Sequence, residues 1–404
     1  MKITLTQFRP NTAEAVWTDC FAQAIAELHK AGGGVLTVPT GEYSTGPIEL
    51  CSNMELHLEP GAVIRFLNDP AAFPLQECQY EGRISHRPKP CLSAFNAENV
   101  ALTGSGVLDG CGAPWWAAQR ARTLANGRPY LLHFENVTHL RVCGVQLRNS
   151  PAWTVHPLNC VDVLIEDVSI CNPYNSPNTD GINPESCRDV RILNCRVDVG
   201  DDCITLKSGT EETPSPVPCE NIVIANCLLV HGHGGIVIGS EMSGGVRNVT
   251  VTNCVFTGTD RGLRVKTRRR RGGCVENLRL SNLVMERVFC PFVFNMYYSC
   301  GTAEKDRWVW EKTPYPVDGG TPAFRNIRIN GVTVVGATAS AGFFYGLAES
   351  PIDGLSLTDC HIEMARGAAP EKPAMMGNLE PMSARGFFLR NAKNVEFHNV
   401  TLKN

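Results

Sequence analysis

One short apolar pattern recurs nine times along the chain and limits what it can fold into. Each copy alternates apolar and variable residues, then places Asn, Asp or Gly before a second apolar stretch. The copies are Leu140–Leu147, Val163–Ile170, Val190–Val197, Ile222–Leu229, Val249–Phe256, Leu278–Met285, Ile327–Val334, Leu355–Ile362 and Val395–Leu402. Most begin about 23 to 32 residues after the previous copy, with longer gaps near residues 286–326 and 363–394. Period-two alternation at this repeat length predicts the stacked turns of a parallel β-solenoid.

The polar residue inside each copy predicts a bend between two short strands, because Asn, Asp and Gly suit turns. Cysteine follows that residue in four copies, at Cys195, Cys227, Cys254 and Cys360. At a repeated inward position cysteine packs as a small hydrophobe, and the chain has no paired C-x-x-C clusters. We therefore expect the 18 cysteines to be reduced thiols rather than a disulfide framework or a metal site. The competing solenoid, a leucine-rich repeat, would need an L-x-x-L-x-L spacing that this sequence lacks.

The repeat also decides the predicted domain organisation. An ordinary chain of 404 residues would form two or three domains, but a solenoid grows lengthwise around one core. We therefore predict a single domain over residues 1–404. Apolar spacings of three and four predict a helix over residues 18–30, within a cap region of about 14–34, that ends at a glycine run. This helix would cover the open edge of the first turn, whose strands are expected to start at Val35.

Charge and hydropathy exclude several kinds of partner. The net charge is -3, and the basic run Arg268–Arg271 lacks the interleaved aromatic residues of nucleic-acid-binding proteins. No apolar stretch approaches the roughly 18 residues of a membrane span. The N-terminus has no apolar core of a signal peptide, so the chain as written is expected in the cytoplasm. The oligomeric state stays open.

Four short polar motifs follow or interrupt strand-like runs in the middle of the chain. They are Asn178-Thr179-Asp180-Gly181, Gly200-Asp201-Asp202, Gly232-His233-Gly234 and Arg264-Val265-Lys266. Stacked strands lie about 4.8 Å apart, so residues one turn apart in sequence can meet on one surface. Three neighbouring carboxylates cannot all ionise freely, and we expect the pKa of one to rise. Taken singly each motif fits an ordinary turn, but their joint order favours the acid and base that glycosidic hydrolysis requires.

These motifs, in this order, resemble glycoside hydrolase family 28, the polygalacturonase family of right-handed parallel β-helices with a pectin-lyase-like solenoid. The resemblance covers nearly the whole chain and implies an all-β fold, an oligogalacturonide substrate with α-1,4 linkages, and no cofactor or metal. It also implies inversion, for which the acid and base stand roughly 6.5–9.5 Å apart. Asp201 would be the general acid, Asp180 and Asp202 would activate water, and His233 would support the acid's protonation.

The same resemblance implies which residues bind the substrate. Arg264 and Lys266 would bind a galacturonate carboxylate, an ion that a guanidinium beside an ammonium suits on physical grounds alone. Residues 239–248 resemble a segment of exo-acting bacterial relatives, which implicates Glu241 and implies attack at the non-reducing end. The remaining substrate-binding candidates are Trp153, His156, Arg269 and Tyr297, with Tyr298 beside them.

Several alternatives remain open from sequence alone. Trp153 suits packing as well as sugar stacking, and the run Arg268–Arg271 suits a solvated loop as well as capture of a polyanion. The enzyme could cleave rhamnogalacturonan or xylogalacturonan, or act as a lyase, although no acidic calcium loop is found. A carbohydrate-binding β-helix without activity is the non-enzymatic alternative. Residues 67–95 and 298–322 are the expected source of a wall that would close an exo-acting cleft.

Overall fold

The computed structural model describes residues 1–10, 16–300 and 306–403, and parallel strands dominate it. It divides into two compact units, Met1–Tyr80 with Ile84–Asp201 and Glu81–Arg83 with Asp202–Asn404. Residues 14 and 15 of the predicted cap region and residues 301–305 of the predicted insertion lie outside the described residues. The prediction of a single domain over residues 1–404 stays a prediction.

The first unit is built from short strands, most of which form three parallel ladders, while Leu75–Tyr80 and Arg83–Pro88 form a separate two-stranded sheet. The strands are β1 (Lys2–Thr4), β2 (Gly34–Val38), β3 (Gly41–Thr45), β4 (Ile48–Glu49), β5 (Met54–Leu58), β6 (Ala62–Phe66), β7 (Leu75–Tyr80), β8 (Arg83–Pro88), β9 (Leu92–Phe95), β10 (Glu98–Gly104), β11 (Val107–Asp109), β12 (Leu132–Glu135), β13 (Thr138–Cys143), β14 (Gln146–Arg148), β15 (Val155–Leu158), β16 (Val161–Glu166), β17 (Ser169–Cys171), β18 (Arg188–Leu193) and β19 (Arg196–Asp198). The ladders run β1-β2-β5-β10-β13-β16-β18, β3-β6-β11-β14-β17-β19 and β4-β9-β12-β15. Helices α1 (Thr18–Lys30) and α2 (Ala113–Ala121) and the 3-10 turns Leu5–Phe8 and Pro70–Ala72 complete it.

The second unit repeats the pattern with longer strands. They are β20 (Ile204–Leu206), β21 (Cys219–Ala225), β22 (Leu228–Val230), β23 (Ile236–Ile238), β24 (Val246–Thr257), β25 (Arg261–Lys266), β26 (Cys274–Glu286), β27 (Cys290–Asn295), β28 (Ala323–Ala337), β29 (Ser340–Tyr345), β30 (Ile352–Met364), β31 (Arg385–Arg390) and β32 (Ala392–Lys403), with the short helix α3 (Arg307–Trp310). One ladder runs from β21 and β22 through β24, β26, β28 and β30 to β32. The other runs β20-β23-β25-β27-β29-β31.

The repeat alignment predicted the register of these ladders correctly. In the first unit Leu140 pairs with Val163, and Val163 pairs with Val190. In the second unit the first apolar residues of the copies form one line: Ile222, Val249, Leu278, Ile327, Leu355 and Val395. All of these side chains are buried except Val395, which lies on the last strand. The predicted all-β parallel β-helix is confirmed.

The backbone conformation explains why each copy has Asn, Asp or Gly at the same position. Its φ angle is positive in all nine copies, at Gly144, Asp167, Asn194, Asn226, Asn253, Asn282, Gly331, Asp359 and Asn399. Glycine, Asn and Asp tolerate this left-handed conformation best, so they bend the chain at low cost. The predicted bend between two short strands is found in the first four copies, and in the other five the bend lies within one continuous strand. Their side chains also bond along the ladder, as Asn282 Nδ2 donates to Asn253 Oδ1 at 2.7 Å.

The cysteines behave as the sequence predicted. All 18 are free thiols, and those that follow the bend residue are buried. Cys195 and Cys254, for example, donate to the carbonyl oxygens of Leu193 and Thr252 at 3.2 and 3.3 Å. Buried thiols with a local acceptor act as small core side chains.

The predicted helix forms over Thr18–Lys30 and buries Phe21, Ala24, Ile25 and Leu28 against the first strands. The helix ends before a run of glycines. One of them, Gly33, has a φ of 122°, and a Cβ on it would lie 2.2 Å from the Asn53 carbonyl oxygen, so glycine is required there. The expected start of the strands at Val35 is wrong, because Lys2–Thr4 already pairs with β2. Three residues are too few to show a strand period in sequence. No helix of the described residues is long and apolar enough to cross a membrane.

Candidate active site

The first unit carries two of the predicted acids. Asp180 is buried just before Ile182, which bridges to Val155 on β15, and its carboxylate accepts a hydrogen bond from Asn183 Nδ2 at 3.1 Å. Asp201 is half-buried at the end of the unit. The two motifs are joined by Thr179, whose hydroxyl oxygen accepts a hydrogen bond from the Gly200 N–H at 3.3 Å. The turn that carries Asp180 is thereby fixed to the turn that carries Asp201.

The carboxylate oxygens of Asp180 and Asp201 lie within 4.8 Å of each other. This separation is shorter than the roughly 6.5–9.5 Å expected for an inverting pair. It permits both oxygens to hydrogen-bond one water molecule, because two such bonds of about 2.7 Å reach farther than 4.8 Å. Oxygens within this distance could also ligate one hard cation.

The second unit carries Asp202, which is 1% exposed, together with both predicted cations. Arg264 Nη1 donates to Asp202 Oδ1 at 3.0 Å, and Lys266 Nζ donates to Oδ2 at 2.7 Å. Burial alone would raise the pKa of Asp202, but Lys266 and Arg264 hold it well below its usual range. Asp202 is therefore ionised and accepts hydrogen bonds. The pKa of one of the three acids was expected to rise, and Asp202 is not that acid.

Packing in the second unit explains why the Gly232-His233-Gly234 motif ends in glycine. A Cβ on Gly234 would lie 2.5 Å from the Val237 side chain and 3.2 Å from Asp202 Oδ1, so only glycine lets the chain approach Asp202 this closely. His233 itself is exposed, and its charge contributes to lowering the pKa of Asp202. The structure thus associates the histidine motif with Asp202 by proximity and electrostatics.

Glu241 meets a lysine that the sequence analysis did not identify. Lys207 Nζ donates to Glu241 Oε2 at 2.6 Å, and Ser240 Oγ donates to Oε1 at 2.8 Å. Burial would raise the pKa of Glu241, but Lys207 and then Arg271 lower it well below its usual range. The sequence signal for Lys207 was available, because Ile204–Lys207 and Leu263–Lys266 share one alternating pattern, at equivalent positions two strands apart in one ladder.

Tyr298 adds an aromatic ring to the second-unit site. Its ring centroid lies 5.3 Å from Lys266 Nζ and 5.9 Å from Arg264 Cζ. The predicted binding residue Tyr297, its neighbour, is instead fully buried, with the Lys312 ammonium 3.5 Å from its ring centroid. Both tyrosines follow the end of β27 at Asn295, and their rings contact different cations.

Two predicted sugar contacts in the first unit are not accessible to a ligand. Trp153 is 2% exposed because the ring of Tyr80 stacks on it at a centroid distance of 4.8 Å. His156 is completely buried between His133 and Glu185, with its Nε2 3.0 Å from Glu185 Oε2. Both predictions fail because the chain around β7 folds back over β12 and β15, which no local pattern in the sequence indicates.

The basic run Arg268–Arg271 is neither a solvated loop nor an open cationic patch. Arg269 bonds both oxygens of Glu349, at 2.5 and 3.0 Å, and donates to three backbone carbonyl oxygens. Arg268 and Arg271 both donate to Glu211, while Arg270 is exposed beside the ring of Trp308. Since its guanidinium is fully engaged, Arg269 tethers loops in this structure and does not present a substrate-binding group.

Carboxylate oxygens that can hold one water between them are the groups that a glycoside hydrolase needs. The sequence profile of glycosyl hydrolases family 28 matches residues 36–366, and the chain belongs to that family. It is 30% identical to a probable polygalacturonase of Vitis vinifera over 87% of this chain and 72% of the relative. An exopolygalacturonase of Platanus acerifolia is 26% identical over 80% of this chain and 82% of its own.

A solved structure supports the same assignment. The exopolygalacturonase of Thermotoga maritima superposes with a TM-score of 0.81 and 30% identity, covering 100% of this chain and 92% of that one. The handedness predicted from the resemblance, a right-handed parallel β-helix, is that of the polygalacturonase structures this chain matches.

Proposed function

We propose that this glycoside hydrolase cleaves α-1,4-galacturonosidic bonds with inversion, releasing sugar from the non-reducing end of oligogalacturonides. The observation that carries the substrate class is the buried aspartate paired to both Arg264 and Lys266. Arg264 and Lys266 each have donors beyond the one bonded to Asp202, and a guanidinium beside an ammonium suits the carboxylate of a uronate sugar better than a neutral hydroxyl. The names of the relatives, which include polygalacturonases and exopolygalacturonases, support the same substrate.

The proposed roles follow from protonation. Asp201, half-buried, would donate a proton to the leaving glycosidic oxygen. Asp202 would stay ionised because its pKa is lowered, and with Asp180 it would orient and deprotonate the attacking water. His233 would support the electrostatics of this group, and Arg264 with Lys266 would bind the uronate carboxylate at the cleavage point.

Exo action is supported by a feature of the first unit. The strand β7 lies over the outward face of β12 and β15, where Tyr80 stacks on Trp153 and Gln79 Nε2 donates to Glu185 at 2.7 Å. Tyr130 fixes this cover through a hydrogen bond from its hydroxyl to the Gln79 carbonyl oxygen. A face covered in this way cannot bind further sugar units. It would close one end of the cleft, which exo action requires. The segment lies within the predicted insertion 67–95.

A time course of product lengths tests this function. Incubated with trigalacturonate and with polygalacturonate, the protein is expected to release monomer stepwise from both, measured by anion-exchange chromatography. A ladder of intermediate oligomers from the polymer would contradict exo action, and unsaturated products absorbing in the ultraviolet would contradict hydrolysis. Addition of EDTA is the control for a cation at the acids, and we expect activity to persist.

A further inference from the structure

A segment of the loop between β30 and β31 is fixed against the second-unit site. Arg261 Nε donates to the carbonyl oxygen of Pro373 at 3.0 Å. Two residues further on, the Met375 carbonyl oxygen accepts hydrogen bonds from Asn295 Nδ2 and from the Ser299 N–H, both at 3.1 Å. These bonds hold the backbone at Met375 in place.

The Met375 side chain reaches the guanidinium that is proposed to bind the uronate carboxylate. Arg264 Nη2 donates to Met375 Sδ at 3.2 Å, in a contact that is only partly buried. Arg264 is 2% exposed, whereas Met375 is 40% exposed, so the methionine forms the exposed side of this contact. A thioether is a weak hydrogen-bond acceptor and competes little with a carboxylate for the same donor.

Met375 also differs from most other methionines in its exposure. All nine methionines of the chain lie within the described residues. Met1 is 65% exposed and Met375 is 40% exposed, whereas the other seven are at most 8% exposed. An oxidant in solution must reach the sulfur atom, so Met375 is the methionine of the second unit that it attacks first.

We propose that Met375 is a site of reversible oxidation, whose sulfoxide blocks the uronate site by bonding Arg264. A peroxide transfers one oxygen atom to Sδ in a two-electron oxidation, and its other oxygen leaves as water. The sulfoxide is polar, and its oxygen accepts hydrogen bonds more strongly than the thioether does.

The fixed backbone keeps that oxygen within reach of Arg264, where it competes with the uronate carboxylate for the guanidinium. The inference rests on the proposed function and deepens it, because it adds a modification that controls substrate binding at the same site. Reduction of the sulfoxide by methionine sulfoxide reductases would restore the site.

Treatment with hydrogen peroxide, followed by kinetics and peptide mass spectrometry, tests the inference. In the wild type Met375 should gain one oxygen atom. KM for trigalacturonate should then rise about tenfold to a hundredfold, as loss of a charge-assisted hydrogen bond predicts, while kcat changes much less. In Met375→Leu, peroxide should leave KM at its value before treatment. Methionine sulfoxide reductases for both epimers should restore the wild-type KM, whereas dithiothreitol alone should not.

Met376→Leu is the matched control, because the same substitution is made at the next residue, which is 7% exposed. Peroxide should raise its KM as in the wild type. Both variants keep all 18 cysteines, including the exposed Cys171 and Cys300, so oxidation of thiols affects them equally.

The inference is overturned if peroxide raises KM equally in the wild type and in Met375→Leu. It is also overturned if Met375 gains no oxygen atom, or if its oxidation leaves KM unchanged. A wild type that releases no sugar before treatment would overturn the proposed function instead, and mass spectrometry would still decide whether Met375 is the oxidised residue.

Discussion

Replacing Asp201 with Asn is expected to abolish turnover while the protein stays folded. Asn is isosteric with Asp but cannot donate the proton that the leaving oxygen needs, and a general acid contributes roughly 10²- to 10⁴-fold to rate. Asp201 is half-buried rather than fully enclosed, so the uncharged amide should cost little stability. The measurement is initial-rate reducing-sugar release from trigalacturonate, with unfolding in urea followed by circular dichroism.

Asp189→Asn is the control for this substitution. Its side chain is 51% exposed beside Arg188, so the same chemical change is made on the surface of the same unit. It should retain wild-type activity. Full activity in Asp201→Asn would show that Asp201 is not the acid, whatever the control does.

Asp202→Asn is expected to lower both stability and activity. Asp202 is 2% exposed in its side chain and neutralises Arg264 and Lys266. Removing one partner of a buried ion pair leaves the other charge without compensation and typically costs about 3–5 kcal/mol. The free energy of unfolding in urea at pH 7 measures this loss, and Asp201→Asn, which should cost little stability, is the comparison that isolates the ion pairs of Asp202.

The effect of Asp202→Asn should also depend on pH. The pKa of Asp202 is lower in the folded protein than the ordinary value of about 3.9, so its contribution to stability is fully present above that value. As pH falls below about 4 the unfolded state takes up the proton first, and the difference between wild type and variant should shrink. A difference that grows at acid pH, or is absent at pH 7, would contradict the ion-pair assignment.

The sequence predicted the ladder architecture because the repeat is local and physical. Each copy contains inward apolar residues on both sides of the one residue that adopts a positive φ, so aligning the copies also aligned the strands. Leu278 and Ile327 pair as predicted although 49 residues separate them. The insertion between them leaves the ladder and returns to it, which does not disturb the register.

The sequence could not predict which loops fold back over the ladders. Trp153 precedes β15 and His156 lies on it, and the β7 strand, more than 70 residues earlier in the sequence, covers them. Arg269 resembles a free cation until Glu349, 80 residues later, is placed against it. Such contacts depend on long-range packing, whereas the motif residues Asp202, Arg264 and Lys266 were recognisable because the ladder itself positions them.

The stereochemistry of cleavage tests the central claim most directly. Proton NMR spectra recorded within the first turnovers of trigalacturonate distinguish the anomers of each new reducing end before mutarotation mixes them. Inverting hydrolysis of an α linkage predicts that the β anomer appears first and then decays towards equilibrium. The close approach of Asp180 and Asp201 makes this outcome a demanding test, since pairs that retain configuration stand only about 5–5.5 Å apart. First appearance of the α anomer, or of an unsaturated sugar without a new hydrolytic reducing end, would contradict the mechanism.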